Sequence, residues 1–333
     1  MALPNLMDIK GIGKKRYAII NTKMTENNWS LNDVYAMSPD TIKKIFKLPI
    51  NVAKAISETG KKAVAERKQS KPDKVVQPKT TTDKLSEKDT QVFDKKDSNY
   101  PNRLKQILGD AAPEKLYIWG NLELIDKPSI GFCGSRNVSD KGLAVTADVA
   151  QQIAELGWVV VSGHARGVDA TAHRVALENN AGTIIVLPQG INGFKLRSEL
   201  RRYAKKENLL IISEFPLNAR WNVGYAMQRN RTIIGLSDAM VLVESRTKGG
   251  TFNAGKTALQ YQHPLFVVTF DDKKPSNAGN DYFIQRGATR LMKSQTTGRA
   301  NITTLRQQVE SQQARDNLPS AKPTQMTLLL ESE

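Results

Sequence analysis

The chain has 333 residues, of which 49 are lysine or arginine and 33 are aspartate or glutamate, so its formal net charge is +16. This charge favours a polyanionic partner such as nucleic acid or an anionic membrane surface. The single cysteine, Cys133, excludes an intrachain disulfide and a cysteine-based zinc site, and three scattered histidines give little material for a metal centre. No run of eighteen apolar residues and no charged-then-apolar leader occurs, so we expect a cytoplasmic protein without a metal or another cofactor.

Residues 1–68 alternate helical patterns with turns and predict a small all-α domain. The segment LMDIKGIGKKRYAII places Gly11 and Gly13 in a turn, and the next helix opens with Lys14 and Lys15. This arrangement resembles a helix-hairpin-helix motif, whose turn presents backbone amides to a DNA phosphate. A second copy without the glycines lies at IKKIFKLPINVAKAI. We predict a secondary DNA contact at these four residues; the alternative is an ordinary helical bundle whose turn only supports folding.

The next stretch, residues 69–96, is polar and rich in lysine. It holds too few apolar residues to offset the entropy cost of becoming ordered. We therefore predict a flexible basic linker.

Residues 97–293 hold nearly all the strand-like runs. Six of them alternate with helical stretches such as 142–156 and 168–180; they lie at 129–134, 158–163, 182–188, 208–214, 239–245 and 265–270. This alternation predicts an α/β domain with a doubly wound, mostly parallel sheet. In such sheets ligands bind at the carboxyl ends of the strands, so the turns there are the candidate site.

Four of these turns combine glycine with cationic or polar side chains. Glycine lets a backbone approach a ligand closely, and arginine offers a planar, charged fork that suits phosphate oxygens. We predict a rim that binds a polymeric anion through Gly134, Ser135, Arg136, Ser162, Gly163, Ala165, Arg166, Gly167, Arg229, Asn230, Arg231, Lys248, Gly249 and Gly250.

Structural roles are the alternative for several of these residues. The three glycines at 134, 163 and 167 would then only permit tight turns, and Arg229 and Arg231 would pair with Glu214 or Asp238. Neighbouring residues have expected roles too. Asp169 balances a helix dipole, His173 packs inside, and Phe194 and Trp221 are candidate platforms for base stacking.

Known nucleotide motifs are missing from these turns. The turn at Gly134 lacks the G-x-G-x-x-G spacing of dinucleotide-binding proteins, and Lys256-Thr257 does not close a P-loop. The final stretch, 294–333, predicts a polar tail without regular structure and without a winged-helix domain. Its end, PTQMTLLLESE, resembles a sliding-clamp-binding peptide through Gln325, Leu328 and Leu330; a frayed terminus or a helix packed on its own domain is the alternative.

The order and spacing of seven segments resemble the DNA processing protein A (DprA/Smf) family. They are YPNRLKQI, LYIWGN, GSR at 134–136, SGHARGVDATAH at 162–173, SEFP at 213–216, QRNRTIIGLSDAMVLVES at 228–245 and NDYFIQRGATRL at 280–291. The resemblance implies an extended Rossmann-like domain that binds single-stranded DNA and forms a homodimer. It further implies a protein that helps load the RecA recombinase in transformation or recombination, without a catalytic step.

Two other functions fit a phosphate-binding sheet of this kind. A nucleotide-binding sensor would hold a mononucleotide instead of a strand. A phosphoribohydrolase-type enzyme relies on a P-G-G-x-G-T-x-x-E turn, whereas this chain has K-G-G-T-F-N-A without the glutamate. The missing acid disfavours hydrolysis.

Overall fold

The computed structural model describes residues 6–27, 31–35, 37–69 and 89–316. The chain divides into two compact units, Met1–Pro78 and Lys79–Glu333. The predicted clamp-binding residues Gln325, Leu328 and Leu330 lie outside the described residues.

The first unit is helical. A short 3-10 turn at Leu6–Asp8 precedes the helices α1 (Lys14–Asn27), α2 (Leu31–Tyr35), α3 (Pro39–Phe46) and α4 (Ile50–Gln69). Helix α3 begins after Ser38, whose hydroxyl accepts a hydrogen bond from the Thr41 amide at 3.2 Å, and it ends at Lys47 in the left-handed conformation. Ile20, Ile42, Phe46 and Ile56 are fully buried among these helices, so the unit has an apolar core of its own.

The second unit is built on one sheet of nine strands. They are β1 (Gln91–Asp94), β2 (Lys115–Gly120), β3 (Ser129–Cys133), β4 (Val159–Ser162), β5 (Thr183–Leu187), β6 (Leu209–Ser213), β7 (Ala239–Leu242), β8 (Leu265–Val268) and β9 (Thr289–Leu291). Their spatial order is β1-β2-β6-β5-β4-β3-β7-β8-β9. The seven strands from β6 to β9 are parallel, whereas β1 and β2 pair antiparallel at one edge. The predicted doubly wound, mostly parallel sheet is confirmed.

Both faces of the sheet are covered by helices. These are α5 (Asn102–Leu108), α6 (Asp140–Glu155), α7 (Val168–Glu178), α8 (Ser198–Arg201), α9 (Val223–Gly235), α10 (Gly250–Gln260), α11 (Asn280–Ile284) and α12 (Thr303–Asp316). Side chains alternate along each strand: in β4, Val159 and Val161 join one apolar cluster and Val160 joins the other. Burial on both faces explains why these strands are continuous apolar runs in the sequence. Among the described residues, no helix is long and apolar enough to cross a membrane.

Two predicted boundaries are wrong. Strand β1 lies inside the predicted linker 69–96; it pairs with β2 and buries Phe93. Helix α12 lies inside the predicted unstructured tail, and it is held by buried Leu305 and Val309 and by a 3.2 Å hydrogen bond from Gln313 to Asp238. In both segments a few correctly spaced apolar residues suffice for docking, although the overall composition is polar.

Candidate nucleic-acid interface

The order of the parallel strands defines where a ligand site is expected. The chain runs outward from β3 through β4, β5 and β6, and then returns to the other side of β3 with β7. The loops after β3 and β7 therefore diverge, which opens a crevice at the carboxyl ends of these two strands. We call the edge formed by the turns that follow β3, β4, β5, β6 and β7 the rim.

The turn after β3 contains the predicted residues Gly134, Ser135 and Arg136. Gly134 packs so closely on α7 that an added Cβ would lie 2.3 Å from a methyl group of Val168. Ser135 accepts a hydrogen bond from the Asn137 amide at 3.1 Å, which bends the turn. Arg136 is exposed. The turn thus points one guanidinium at solvent above a tightly packed base.

The turn after β4 lies directly against the turn after β3. Gly167 has φ +83°, a conformation that favours glycine, and an added Cβ there would lie 2.5 Å from the carbonyl oxygen of Ser135. Ala165 is half-buried, and its amide donates to the Asp169 carboxylate at 3.2 Å. Arg166 is exposed, so the two joined turns present two arginines side by side.

Polar groups buried under the turn after β4 hold it in shape. His173 contacts the Gly163 carbonyl through Nε2 and the Thr183 hydroxyl through Nδ1, both at 2.6 Å. Burial lowers the pKa of His173 to about 4, so the ring is neutral at pH 7. The carbonyl oxygen can only accept a hydrogen bond, so Nε2 of the neutral ring carries the hydrogen and donates to Gly163. The predicted packed role of His173 is confirmed.

Arg229 lies behind the same turn and does not reach the rim. Its side chain is buried, and Nη1 donates to the Val186 carbonyl at 2.7 Å. Burial lowers its pKa, while the nearby carboxylate of Asp169 opposes that shift. A Cβ added to Gly163 would lie 2.0 Å from Arg229 Nη1, so this glycine makes room for the guanidinium. Asp169 is therefore more than the helix-dipole charge that the sequence predicts.

Three residues that the sequence predicted to contact DNA are buried. Ser162 is fully buried and donates to the Phe132 carbonyl at 2.8 Å, Gly163 is buried, and Arg229 is buried as described. A residue enclosed by protein cannot touch a DNA strand in solvent. These residues instead support the rim from beneath. Phe194 is also buried, so it is not a stacking platform; its ring packs against His164 at 4.7 Å.

The remaining predicted residues of α9 are only partly accessible. Asn230 and Arg231 are half-buried, and Arg231 Nε donates to the Gln228 carbonyl at 3.4 Å. Glu214 accepts hydrogen bonds from Gln228 and Thr232, both at 2.8 Å, and burial raises its pKa. Asp238 pairs with Arg103, with a nitrogen-oxygen distance of 3.0 Å. Glu214 and Asp238 therefore have other partners than Arg229 and Arg231, with which the sequence suggested that they pair.

The turns after β5 and β6 continue the rim and were missed as site elements. The Arg197 amide donates to His164 Nε2 at 3.3 Å, which fixes the turn after β5 against the turn after β4. The Gly190 amide in turn donates to the Ala219 carbonyl, at 2.9 Å, in the turn after β6. Lys195 and Arg220 are exposed on these turns. The signal for them was a basic residue in the turn after a strand, together with Gly190 and Gly193 in the turn after β5.

The turn after β7 carries the predicted Lys248, Gly249 and Gly250, and all three are exposed. Gly249 has φ +108° and forms the N-cap of α10. Arg246, which the sequence analysis did not single out, is exposed beside them. Among the residues that the structure describes, no ion pair links Arg136, Arg166 or Lys248 to an acidic side chain. The rim can therefore offer these charges to an anion.

The predicted N-terminal hairpin belongs to the other unit. Gly11 has φ +96°, and its carbonyl accepts a 2.6 Å hydrogen bond from Arg16. Gly13 and Lys15 are exposed, and α1 begins at Lys14. Among the described residues, the element before this hairpin is a three-residue 3-10 turn, whereas the second copy is flanked by the full helices α3 and α4.

Comparison with known proteins agrees with the fold. The family model for DNA recombination-mediator protein A matches residues 91–300. The chain belongs to this family. The DprA protein of Bacillus subtilis is 31% identical over 192 residues, and that of Streptococcus pneumoniae is 30% identical over 194 residues. These matches cover 57% and 58% of this chain and 64% and 67% of the relatives, so the first spans less than two thirds of its relative.

Two solved structures of the family share the fold. DprA from Streptococcus pneumoniae matches with a TM-score of 0.55 at 23% identity, over 86% of this chain and 92% of that one. DprA from Helicobacter pylori, described for its single-stranded DNA binding mode, matches with a TM-score of 0.53 at 25% identity, over 68% of this chain and 96% of that one. The predicted resemblance to the DprA/Smf family is confirmed.

Proposed function

We propose that this protein binds single-stranded DNA along the rim of its parallel sheet. The observation that carries this proposal is the continuity of four basic turns: those after β3, β4, β5 and β6 touch one another in that order. Exposed Arg136, Arg166, Lys195 and Arg220 follow this line. A row of cations along an edge suits a polymer of phosphates better than one small anion.

The binding energy would come mainly from phosphate contacts. Guanidinium groups pair with phosphate oxygens through charge-assisted hydrogen bonds, and each neutralised phosphate releases counterions. Affinity should therefore fall steeply as salt rises. The Helicobacter pylori relative, described for its single-stranded DNA binding mode, supports the choice of ligand.

The family resemblance supports finer proposals. We propose a homodimer that acts in the cytoplasm and helps to load the RecA recombinase during transformation or recombination. We also propose a secondary DNA contact at Gly11, Gly13, Lys14 and Lys15, and sliding-clamp binding through Gln325, Leu328 and Leu330. Equilibrium sedimentation tests the dimer. Competition of a labelled clamp peptide by residues 318–333 tests clamp binding.

The direct test is fluorescence anisotropy of a labelled single strand, its duplex and a mononucleotide at low and moderate salt. We expect tight, salt-sensitive binding of the single strand. Arg136→Ala should weaken it about fivefold or more, because a charge-assisted phosphate contact is lost. Arg306→Ala is the matched control, since this exposed arginine lies on α12 outside the rim and pairs with Glu310. Unchanged affinity for Arg136→Ala would remove that residue from the site.

Preference for the mononucleotide would move the proposal to a nucleotide sensor. Hydrolysis has less support, because the acidic residue that follows β7, Glu244, is buried and accepts hydrogen bonds from the amide and hydroxyl of Ser139. A carboxylate held in this way at the start of α6 stabilises the helix and is screened from a ligand in the crevice.

A further inference from the structure

Trp221 lies at the far end of the line of turns that begins at Arg136. It follows the turn after β6 and directly precedes Asn222, the N-cap of α9. Three strand spacings separate β3 from β6, which is about 14 Å and within the length of a few nucleotides. A single strand of DNA whose phosphates lie on Arg136 and Arg166 thus reaches Trp221 without leaving the rim.

The indole of Trp221 is unusually accessible. It is 48% exposed, whereas Trp119 and Trp158 are 6% and 7% exposed. Its backbone is nevertheless well fixed, because the Gly190 and Asn192 amides each donate at 2.9 Å to the turn that precedes it, and the Asn222 side chain caps α9 through the Tyr225 amide at 2.8 Å. Arg220 beside it is exposed and cationic. An exposed aromatic ring on a well-fixed backbone, beside a cation, is suited to a nucleobase attached to a phosphate.

Phosphate contacts alone cannot distinguish a single strand from a duplex, because both carry the same charged groups. A flat aromatic surface can, since only an unpaired and unstacked base offers its face. We propose that Trp221 stacks on a base of the bound strand and thereby gives the rim its preference for single-stranded over duplex nucleic acid. This inference rests on the proposed function, because it needs a strand on the rim.

The test separates base contacts from phosphate contacts with two ligands of equal length and charge: an ordinary single strand and one made of abasic nucleotides. Trp221→Ala should bind the ordinary strand about fivefold or more weakly. It should bind the abasic strand and the duplex as the unaltered protein does, with the same dependence on salt. Trp221→Phe should retain most of the affinity. Arg136→Ala, by contrast, should weaken both strands and reduce the salt dependence.

The outcomes separate base stacking at Trp221 from phosphate binding on the rim. If Trp221→Ala binds the ordinary strand normally, or weakens the ordinary and abasic strands equally, stacking is overturned while phosphate binding at Arg136 still stands. The first of these outcomes would leave Trp221, with exposed Val223 and Met227, as a surface for a protein partner. If the unaltered protein binds the single strand and the duplex equally, stacking is overturned while phosphate binding still stands; if it binds neither, both ideas fail. Circular dichroism of Trp221→Ala checks that this exposed substitution leaves the fold intact.

Discussion

The turn after β4 and the turn after β7 look alike in sequence but differ in how they are supported. Each ends in a glycine with positive φ that precedes a helix: Gly167 at +83° before α7 and Gly249 at +108° before α10. The first presents one exposed cation, Arg166, and the second presents two, Arg246 and Lys248. The difference lies in what stands behind them.

The turn after β4 is packed against buried side chains and the neighbouring turn, whereas the glycines of the turn after β7 have no close neighbours among the described residues. His173, Asp169 and Arg229 lie under the first turn, and Gly167 touches the Ser135 carbonyl. An added Cβ on Gly249 or Gly250 would meet nothing within 4 Å. A fixed cation loses less entropy when it binds a phosphate than a free one does. We therefore expect the first turn to set affinity and the second to adapt to the strand.

Removing the buried support should give the largest effect. Arg229→Ala deletes the partner of the Val186 carbonyl and leaves the Asp169 carboxylate buried without its neighbouring positive charge. A buried acceptor left without its donor costs about 1–3 kcal/mol, and the lost positive charge near Asp169 and the cavity left by the side chain add to this, so we expect a loss of unfolding free energy of about 3 kcal/mol or more. Urea denaturation measures it. The control is Arg231→Ala, two residues further along α9. Its side chain is half-buried, so the substitution should cost less than about 1 kcal/mol. Similar losses for both variants would contradict the assigned role of Arg229.

Alanine at the two left-handed glycines separates packing from backbone strain. Gly249→Ala should cost about 1 kcal/mol, because only the positive φ is unfavourable for alanine. Gly167→Ala adds a clash with the Ser135 and Arg136 carbonyls at 2.5 and 2.9 Å, so we expect about 2–3 kcal/mol. The measurement is again chemical denaturation of both variants. Equal costs would mean that the joined turns relax without penalty.

These two turns also show what the sequence can and cannot predict. The strand-turn-helix repeats and the glycines at 134, 163, 167 and 249 were readable, because apolar runs and glycines mark a parallel sheet and its turns. The sequence did not distinguish an arginine that faces solvent from one that faces inward. Arg166 lies in the turn after a strand and Arg229 lies within α9, and only the packing of α9 under β5 buries the second.

The missed elements have two causes. The turn after β5 is joined to its neighbours by hydrogen bonds between residues about 30 positions apart, such as that from the Arg197 amide to the His164 ring. Local patterns carry no information on such pairs. Strand β1 and helix α12 escaped notice because each docks through one or two buried apolar residues within a polar segment, and composition averages these away.

Histidine burial predicts a pH dependence of the supported turn. The pKa of His173 is lowered to about 4 in the folded protein, while an unfolded histidine titrates near 6.5. Below pH 6.5 the unfolded chain binds more protons than the folded one, so stability falls as the pH drops from 6.5 towards 4. Between pH 7 and 5.5 we expect His173 to account for a loss of about 1 kcal/mol.

The variant His173→Gln isolates this contribution. It should be less stable at pH 7, yet its unfolding free energy should change by about 1 kcal/mol less over the same pH interval. A slope remains, because burial also lowers the pKa values of His164 to about 3 and of His263 to about 4. Denaturation curves at pH 7 and 5.5 measure the difference. Parallel slopes for both proteins would show that His173 does not stay neutral in the folded state.

The smallest expected difference concerns two of the exposed cations themselves. Arg166→Ala and Lys248→Ala each remove one positive charge, so each should lower the slope of log affinity against log salt by about 0.7 if each cation neutralises one phosphate of the single strand. Their effects on affinity should differ, because Arg166 is a planar fork on a fixed turn and Lys248 is a flexible point charge on an open one. We expect about a fivefold loss for Arg166→Ala and about twofold for Lys248→Ala at moderate salt. Arg166→Lys completes the comparison: it should keep the salt slope but lose part of the affinity. Equal losses for the two alanine variants would show that the support beneath the turn after β4 stabilises the fold without contributing to binding.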